Sequence, residues 1–172
     1  MTVDTRVTRV LQRGCVIPAS PLALDADRRW NRERQRKLWE YYDRSGVGGM
    51  AIAVHTTQFA IRDVGLFQPL LEFAGEVLDE IDRGRDEPLM RVAGVCGRTD
   101  QAIREAEWAR EHGFHYGLVS LSAWKGASLE ECLEHCRRVA DVIPLFGFYL
   151  QPAVGGVELP YRFWRELCEL ER

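Results

Sequence analysis

A short apolar segment, a polar loop and an amphipathic helix recur in series along the chain, and this repeat constrains the fold more than any other feature. The apolar segments are CVIPA at 15–19, MAIAV at 50–54, LMRVAGV at 89–95, YGLVSL at 116–121 and LFGFYL at 145–150. The amphipathic segments cover 27–45, 67–83, 99–112, 128–141 and 160–171. Consecutive β-α units of this kind predict a parallel sheet with right-handed crossovers and helices packed on it.

Two α/β architectures accommodate such a series, a doubly wound open sheet and part of a (β/α)8 barrel. The sequence contains neither G-x-G-x-x-G nor a Walker loop, which weakens a nucleotide-binding version of the open sheet. A complete barrel needs about 250 residues, whereas this chain has 172. We therefore predict an α/β fold: a partial TIM barrel of about five β-α units with strand order 1-2-3-4-5, as a single domain over residues 1–172.

Capping residues support several of the predicted helices. Thr99 precedes the helical segment DQAIREAEWAREHG, and Gly113 follows as a stop signal. Ser128 and Glu131 form a capping-box pattern, and Pro160 suits the first turn of the last helix. These signals predict where the outer helices begin and end.

Polar residues follow the apolar strands at the end where α/β proteins place ligands. His55, Thr56 and Thr57 come directly after MAIAV, and Tyr149 is the penultimate residue of LFGFYL. The carboxyl ends of parallel strands share one edge of the sheet, where ligand sites concentrate. Two hydroxyls and nearby backbone N–H groups suit a carboxylate, and a tyrosine can move a proton if a partner hydroxyl is within reach. The structural alternative is that the threonines cap a turn and that Tyr149 packs against neighbouring side chains.

Composition and charge argue against several classes of protein. The formal net charge of −3 disfavours a general nucleic-acid binder. The arginines at 28, 29, 32 and 36 share one helical face that is most simply solvated.

No apolar run approaches the roughly 18 residues needed to span a membrane, and the start MTVDTRVTRVLQRG lacks a signal-peptide core. Five cysteines without framework spacing indicate reduced thiols in a cytoplasmic protein.

A second cluster, on the fourth predicted helix, invites a metal interpretation. Cys132, His135 and Cys136 stand at i, i+3 and i+4, which brings them together on a helix. Both cysteines also belong to one continuous apolar stripe, with His135 at its edge, so we expect core packing and no metal. Arg91, inside an apolar strand, must either pair or line a polar cavity.

The segments VIPASPLALDAD, SGVGGMAIAVHTTQF, RVAGVCGRTDQAIREAEWAREHGFHYGLVSL and FYLQPAVGG, in this order, resemble the dihydrodipicolinate synthase/N-acetylneuraminate lyase family. That family consists of (β/α)8-barrel aldolases and lyases in which a lysine forms a Schiff base with a 2-oxo acid, commonly pyruvate. The resemblance covers residues from about 14 to 172. It implies a lyase or aldolase that needs no cofactor, acts on a small 2-oxo acid, and is a homo-oligomer when full length.

The same resemblance assigns roles to individual residues. Thr56 and Thr57 match the paired threonine that grips the substrate carboxylate, and the second of the pair relays protons. Tyr149 matches the tyrosine that acts as acid and base beside the Schiff base, within a segment that also matches at Pro152 and Gly156. The implied catalytic residues are Tyr149 and Thr57; the implied substrate-binding residues are Thr56, Thr57, Ser20, His55 and Gln151.

Departures from the family pattern limit what the resemblance implies. His55, Gln58 and Phe59 replace the glycines and glutamate of the threonine loop, Trp124 stands where the synthases place a second tyrosine, and Val154 stands where they carry an arginine. The Schiff-base lysine lies on a sixth strand in the family, and neither Lys37 nor Lys125 matches it. We therefore expect the amino-terminal part of such an enzyme, either a fragment or a truncated relative, inactive alone. The alternatives are a non-catalytic half-barrel that binds a small carboxylate or a partner chain, and a doubly wound binding domain.

Overall fold

The structure, a computed structural model, describes residues 4–170. Within them the α-helices are α1 (Thr5–Arg13), α2 (Arg32–Arg44), α3 (Phe67–Asp82), α4 (Thr99–Glu111), α5 (Leu129–Ala140) and α6 (Tyr161–Cys168). The strands are β1 (Gly49–Ile52), β2 (Met90–Val95), β3 (Tyr116–Val119) and β4 (Leu145–Phe146). Short 3₁₀ turns follow β1 at His55–Thr57 and Phe59–Arg62, and β3 at Ser122–Trp124.

The strands form one parallel sheet in the order β1-β2-β3-β4, which confirms the predicted α/β class and the sequential strand order. The predicted first strand, 15–19, lies beside β1 but forms only an isolated parallel bridge, between Ala19 and Ala51. Backbone bonds continue this pairing from Gly48 N to Val16 O and from Ser20 N to Ala51 O. The predicted strand 145–150 is shorter, because its pairing with β3 stops at Phe146.

Side chains on the strands alternate between two apolar layers, as the period of two in a β-strand requires. Ile52, Ala93 and Val119 face the outer helices, in a core that also contains Trp39, Leu70 and Leu133. Ala51, Val92 and Leu118 face the opposite, inner side, against Ile17 and Phe146. The near-continuous apolar runs of the strands follow from this, because both faces of the sheet are covered.

Helix α1 was not predicted from the sequence. The Asp4 side chain accepts a hydrogen bond from Arg6 N and so caps its amino end, and Gly14 ends it with a φ of 81°. Val7 and Val10, three residues apart, are buried. Val7 packs on the inner face with Met90 and Tyr116, the first residues of β2 and β3, so α1 covers the amino-terminal end of the sheet.

Helix boundaries differ from the prediction where local side-chain bonds compete with the helix. The helix predicted over 27–45 begins at Arg32, because Asn31 caps it and Asp25 holds the preceding loop by accepting from Arg29 N. Thr99 is the first residue of α4 and not its cap; its hydroxyl bonds to His135 instead. The capping box of Ser128 and Glu131 is confirmed.

No helix in the described part of the chain is both long and apolar enough to cross a membrane. All five cysteines carry free thiols, two of them buried on α5.

Candidate functional site

A cavity of about 250 Å³ lies on the inner face of the sheet, at the carboxyl end of β1. Apolar side chains form most of its wall: Ile17, Ala19, Ala51, Val54, Val92, Leu118, Phe146 and Phe148. The polar side chains among its lining residues are His55 and Thr56. Such a wall with a few placed polar groups is the usual composition of a small-molecule site.

The turn after β1 presents these two polar side chains to the cavity. His55–Thr57 forms one 3₁₀ turn, closed by bonds from Thr57 N to Val54 O and from Gln58 N to His55 O. Ala53, just before the turn, has a φ of 59°, in the left-handed region that few non-glycine residues adopt. Gly94 on β2 permits this bend, because a Cβ there would lie 2.3 Å from Ala53 O. The bend carries His55 and Thr56 onto the cavity rim.

Thr57, although adjacent to Thr56, faces a different environment. Its side chain is buried, and its hydroxyl donates to Ser20 O at 2.6 Å. Ser20 Oγ in turn accepts from Trp39 Nε1 at 2.9 Å and from Gln35 Nε2 at 3.3 Å. The structure thus separates the two threonines: Thr56 lines the cavity, and Thr57 lies in a buried network that ties β1 to α2.

Gln35, which was not predicted from the sequence to have a role, is buried although it lies in the charged run RERQRK. Its Oε1 accepts from Ala23 N at 2.8 Å, so it holds the loop after Ser20. The available signal was its spacing, since Gln35 stands four residues before Trp39 on one helical face.

Tyr149 and Gln151 lie in the irregular segment after β4. Tyr149 is 49% exposed, and neither residue is among the described residues that line the cavity, although Phe148 is. Gln151 O accepts from the N–H groups of Val154 and Gly156, which closes a tight turn. A Cβ on Gly156 would lie 1.7 Å from Leu150 O, so only glycine fits there. This turn fixes where the segment leaves the sheet edge.

A buried ion pair between Arg62 and Glu105 supports the strand ends from the outer side. Arg62 donates through Nε and Nη2 to the two carboxylate oxygens, at 2.9 and 2.8 Å. Arg62 also reaches Gly94 O at 3.0 Å, and Glu105 accepts from Cys96 N at 3.0 Å. Burial raises the pKa of the Cys96 thiol to about 11, so it is not a thiolate nucleophile at neutral pH. In the sequence, the position of Glu105 on the alanine-rich face of α4 indicated that this carboxylate is buried and needs a partner.

The sequence left undecided whether Arg91 pairs or lines a polar cavity. Its side chain points away from the inner cavity. Its guanidinium pairs with Asp79 at 2.7 Å and Asp82 at 2.5 Å on α3. Its backbone N–H donates to His115 Nδ1 at 3.0 Å. Burial, followed by the charge of Arg91, lowers the pKa of His115 to about 4, so this imidazole is neutral and can accept. Arg91 therefore joins the sheet to α3.

The cluster on α5 is packed into the core. Cys132, His135 and Cys136 are all buried, and in the described part of the chain no group of three or more metal-ligating side chains is arranged to hold an ion. His135 is fully buried rather than at the edge of the stripe; its Nδ1 bonds to Thr99 Oγ1 at 3.1 Å, and its ring lies 4.8 Å from that of Trp124. Burial lowers the pKa of His135 to about 4 and raises that of Cys136 to about 12.

Comparison with known proteins yields matches among solved structures only. No family model and no curated protein sequence matches the chain. A dihydrodipicolinate synthase from Aquifex aeolicus matches with a TM-score of 0.77 and 19% identity, over 91% of this chain and 51% of that one. A prophage protein of the dihydrodipicolinic acid synthase family from E. coli K12, in complex with pyruvate, matches with a TM-score of 0.77 and 19% identity, over 89% and 50%.

A third match is CdNal from Clostridium difficile in complex with mannosamine, with a TM-score of 0.77 and 16% identity, over 90% of this chain and 52% of that one. The chain therefore spans about half the length of the solved structures it matches. At these identities the likeness establishes the fold, and it confirms the sequence-based resemblance at that level. The chain has the fold of a partial (β/α)8 barrel like those of the dihydrodipicolinate synthase family.

Proposed function

We propose that the chain is part of a carbon–carbon lyase or aldolase of the dihydrodipicolinate synthase/N-acetylneuraminate lyase family that acts on a small 2-oxo acid, such as pyruvate, through a Schiff base. The observation that carries this proposal is the inner cavity, in which two polar side chains stand on an otherwise apolar wall. A site of that composition at the carboxyl ends of barrel strands suits a small ligand with one charged end. The likeness to a pyruvate-bound barrel supports it.

In this proposal the substrate carboxylate lies against the turn after β1. The Thr56 hydroxyl donates to it, and an imidazole N–H of His55 supplies a second donor. The apolar wall contributed by Val54, Leu118 and Phe148 excludes water and strengthens those bonds. Ser20 contributes through its position, since its carbonyl and hydroxyl hold Thr57 and Trp39, and Gln151 closes the turn beside Tyr149.

Tyr149 and Thr57 are the proposed proton-transfer residues. Tyr149 directly follows Phe148, a residue of the cavity wall, so its backbone lies beside the cavity, and the proposal requires its exposed hydroxyl to turn toward the mouth. The Thr57 hydroxyl donates to Ser20 O at 2.6 Å, so Thr57 can relay a proton only by accepting at its oxygen or by releasing that bond. As a relay, Thr57 therefore starts with its hydroxyl proton bonded to Ser20 O.

The Schiff-base amine is proposed to come from neither lysine of the chain. Lys37 pairs with Glu33 at 2.5 Å on α2, and Lys125 is exposed in the loop after β3 and does not line the cavity. Within the same proposal, residues 1–172 are one incomplete barrel domain, and the full-length protein is a cytoplasmic homo-oligomer. The free thiols of all five cysteines support the reducing setting.

A pyruvate titration tests the site. Amide resonances of an isotope-labelled chain should shift saturably at His55 and Thr56 when pyruvate is added. Acetone, which lacks the carboxylate, should leave them in place. If pyruvate shifts no resonance of the cavity residues, this substrate assignment fails.

Amine rescue separates a lyase from a non-catalytic half-barrel that only binds a carboxylate or a partner chain, an alternative that the placement of both lysines favours. Added propylamine condenses with pyruvate and releases water; a base then removes a methyl proton to give the enamine. With Tyr149 acting, the chain should accelerate exchange of pyruvate methyl protons for deuterium in the presence of the amine, and Tyr149→Phe should lose that acceleration. A pure binding module would accelerate nothing.

Trapping with pyruvate and borohydride should give no adduct on the chain by intact mass, because no lysine lines the cavity. A stoichiometric adduct on Lys125 would overturn the lysine assignment.

A further inference from the structure

A second recess lies on the outer face of the molecule, between the first turn of α3 and α4. Its volume is about 370 Å³, and none of its lining residues lines the inner cavity. That volume falls within the range of roughly 300–1,000 Å³ typical of small-molecule sites. The proposed lyase function leaves this groove unexplained.

The floor of the groove is aromatic. Phe67 is buried, with its ring centroid 6.1 Å from that of Trp108 at an interplanar angle of 45°. Trp108 is half-buried, and Pro69 completes the apolar side. Phe67 lies beneath the Arg62 guanidinium and packs against Trp108, so Trp108 is held in place and a flat apolar group can stack on its half-buried ring without a large loss of side-chain entropy.

The charge of the groove resides mainly on Arg104. Arg62 also lines the groove, but its guanidinium is bound to Glu105 and lies 4.4 Å above the ring of Phe67, so its charge is offset. Arg104 is exposed and forms no ion pair within residues 4–170. An arginine fork beside an aromatic floor suits a planar anion, because guanidinium binds a carboxylate through two parallel hydrogen bonds.

We propose that this groove is a second ligand site, which takes a small aromatic carboxylate with its ring against Trp108 and its carboxylate on Arg104. Gln68, exposed at the rim, adds a polar side chain at the entrance. The site is separate from the inner cavity, so either assignment can fail while the other stands.

Indoleacetate titrated into the isotope-labelled 172-residue chain tests the proposal. The indole N–H resonance of Trp108, assigned with Trp108→Phe, should shift saturably at millimolar probe. Indoleacetamide, which keeps the ring but lacks the charge, should bind more weakly. Arg104→Gln should weaken indoleacetate binding roughly threefold to tenfold, the range for an exposed charge-assisted contact.

Arg110→Gln is the matched control, because Arg110 is an exposed arginine of the same helix that does not line the groove. It should leave the affinity for indoleacetate unchanged. The proposal is overturned if Trp108 does not respond, if the amide binds as tightly as the acid, or if both arginine variants weaken binding equally.

Discussion

Thr56 and Thr57 are adjacent in one turn, yet the structure gives them opposite surroundings. Thr56 is exposed on the rim of an apolar cavity, whereas the hydroxyl of Thr57 is buried and bonded to Ser20 O at 2.6 Å. A hydroxyl committed to the backbone contributes to folding, and one left open can bind a ligand. The turn after β1 therefore joins a side that is bonded into the fold and a side that is open to the cavity, and substitutions should separate the two.

The largest expected effect falls on the ion pair that holds the strand ends beneath this turn. Glu105→Ala leaves Arg62 buried without its carboxylate and should lower the free energy of unfolding by about 3–5 kcal/mol. Glu107→Ala, at an exposed position of the same helix, should change it by no more than about 0.5 kcal/mol. Urea denaturation of the two variants measures this. Equal effects would mean that the pair does not support the strand ends.

The next effect concerns pH and the buried histidine on α5. Burial lowers the pKa of His135 to about 4, below the ordinary value of 6.5, so the unfolded chain binds more protons between those values. Stability should therefore be fully present above pH 6.5 and fall as the pH drops toward 4, by on the order of 3 kcal/mol for this residue. In urea denaturation at a series of pH values, His135→Phe should reduce the slope of the unfolding free energy against pH by close to the contribution of one bound proton. An unchanged slope would contradict burial of the neutral imidazole.

A smaller effect is expected in the buried network on the structural side of the turn. Ser20→Ala removes the acceptor of Trp39 Nε1 and leaves that donor buried, which should cost about 1–3 kcal/mol. Thr57→Val, close in shape, should cost about 1 kcal/mol through the loss of one hydrogen bond. Thermal and urea unfolding give both values. If neither variant is destabilised, the network is not the element that holds the turn.

The repeating pattern predicted the helices and the strand order well, because apolar periodicity decides which face of each element is buried. Strand lengths were less predictable: 145–150 is apolar throughout, yet only Leu145–Phe146 pairs with β3. Pairing depends on a neighbour distant in sequence, and local composition does not contain that information. Helix α1 was missed because its buried face consists of only two valines within a short polar segment.

The candidate site was predictable as a location but not as a set of contacts. The strand-end rule placed His55, Thr56 and Thr57 together, whereas the partner of Thr57 is a backbone carbonyl contributed by Ser20, a distant residue. Likewise, the alanine-rich face of α4 indicated that Glu105 is buried, but only the tertiary structure brings Arg62 to it. The identity of such a distant partner has no local signature.

Pyruvate affinity in Thr56→Val, measured by amide resonance titration beside the unsubstituted chain, tests whether the inner cavity holds the 2-oxo acid. We expect binding to weaken at least about tenfold, through the loss of a hydrogen bond to a charged group, while the free energy of unfolding changes by less than about 0.5 kcal/mol. Retained pyruvate affinity in Thr56→Val, with the same resonances shifting, would contradict the assignment of the inner cavity as the 2-oxo acid site.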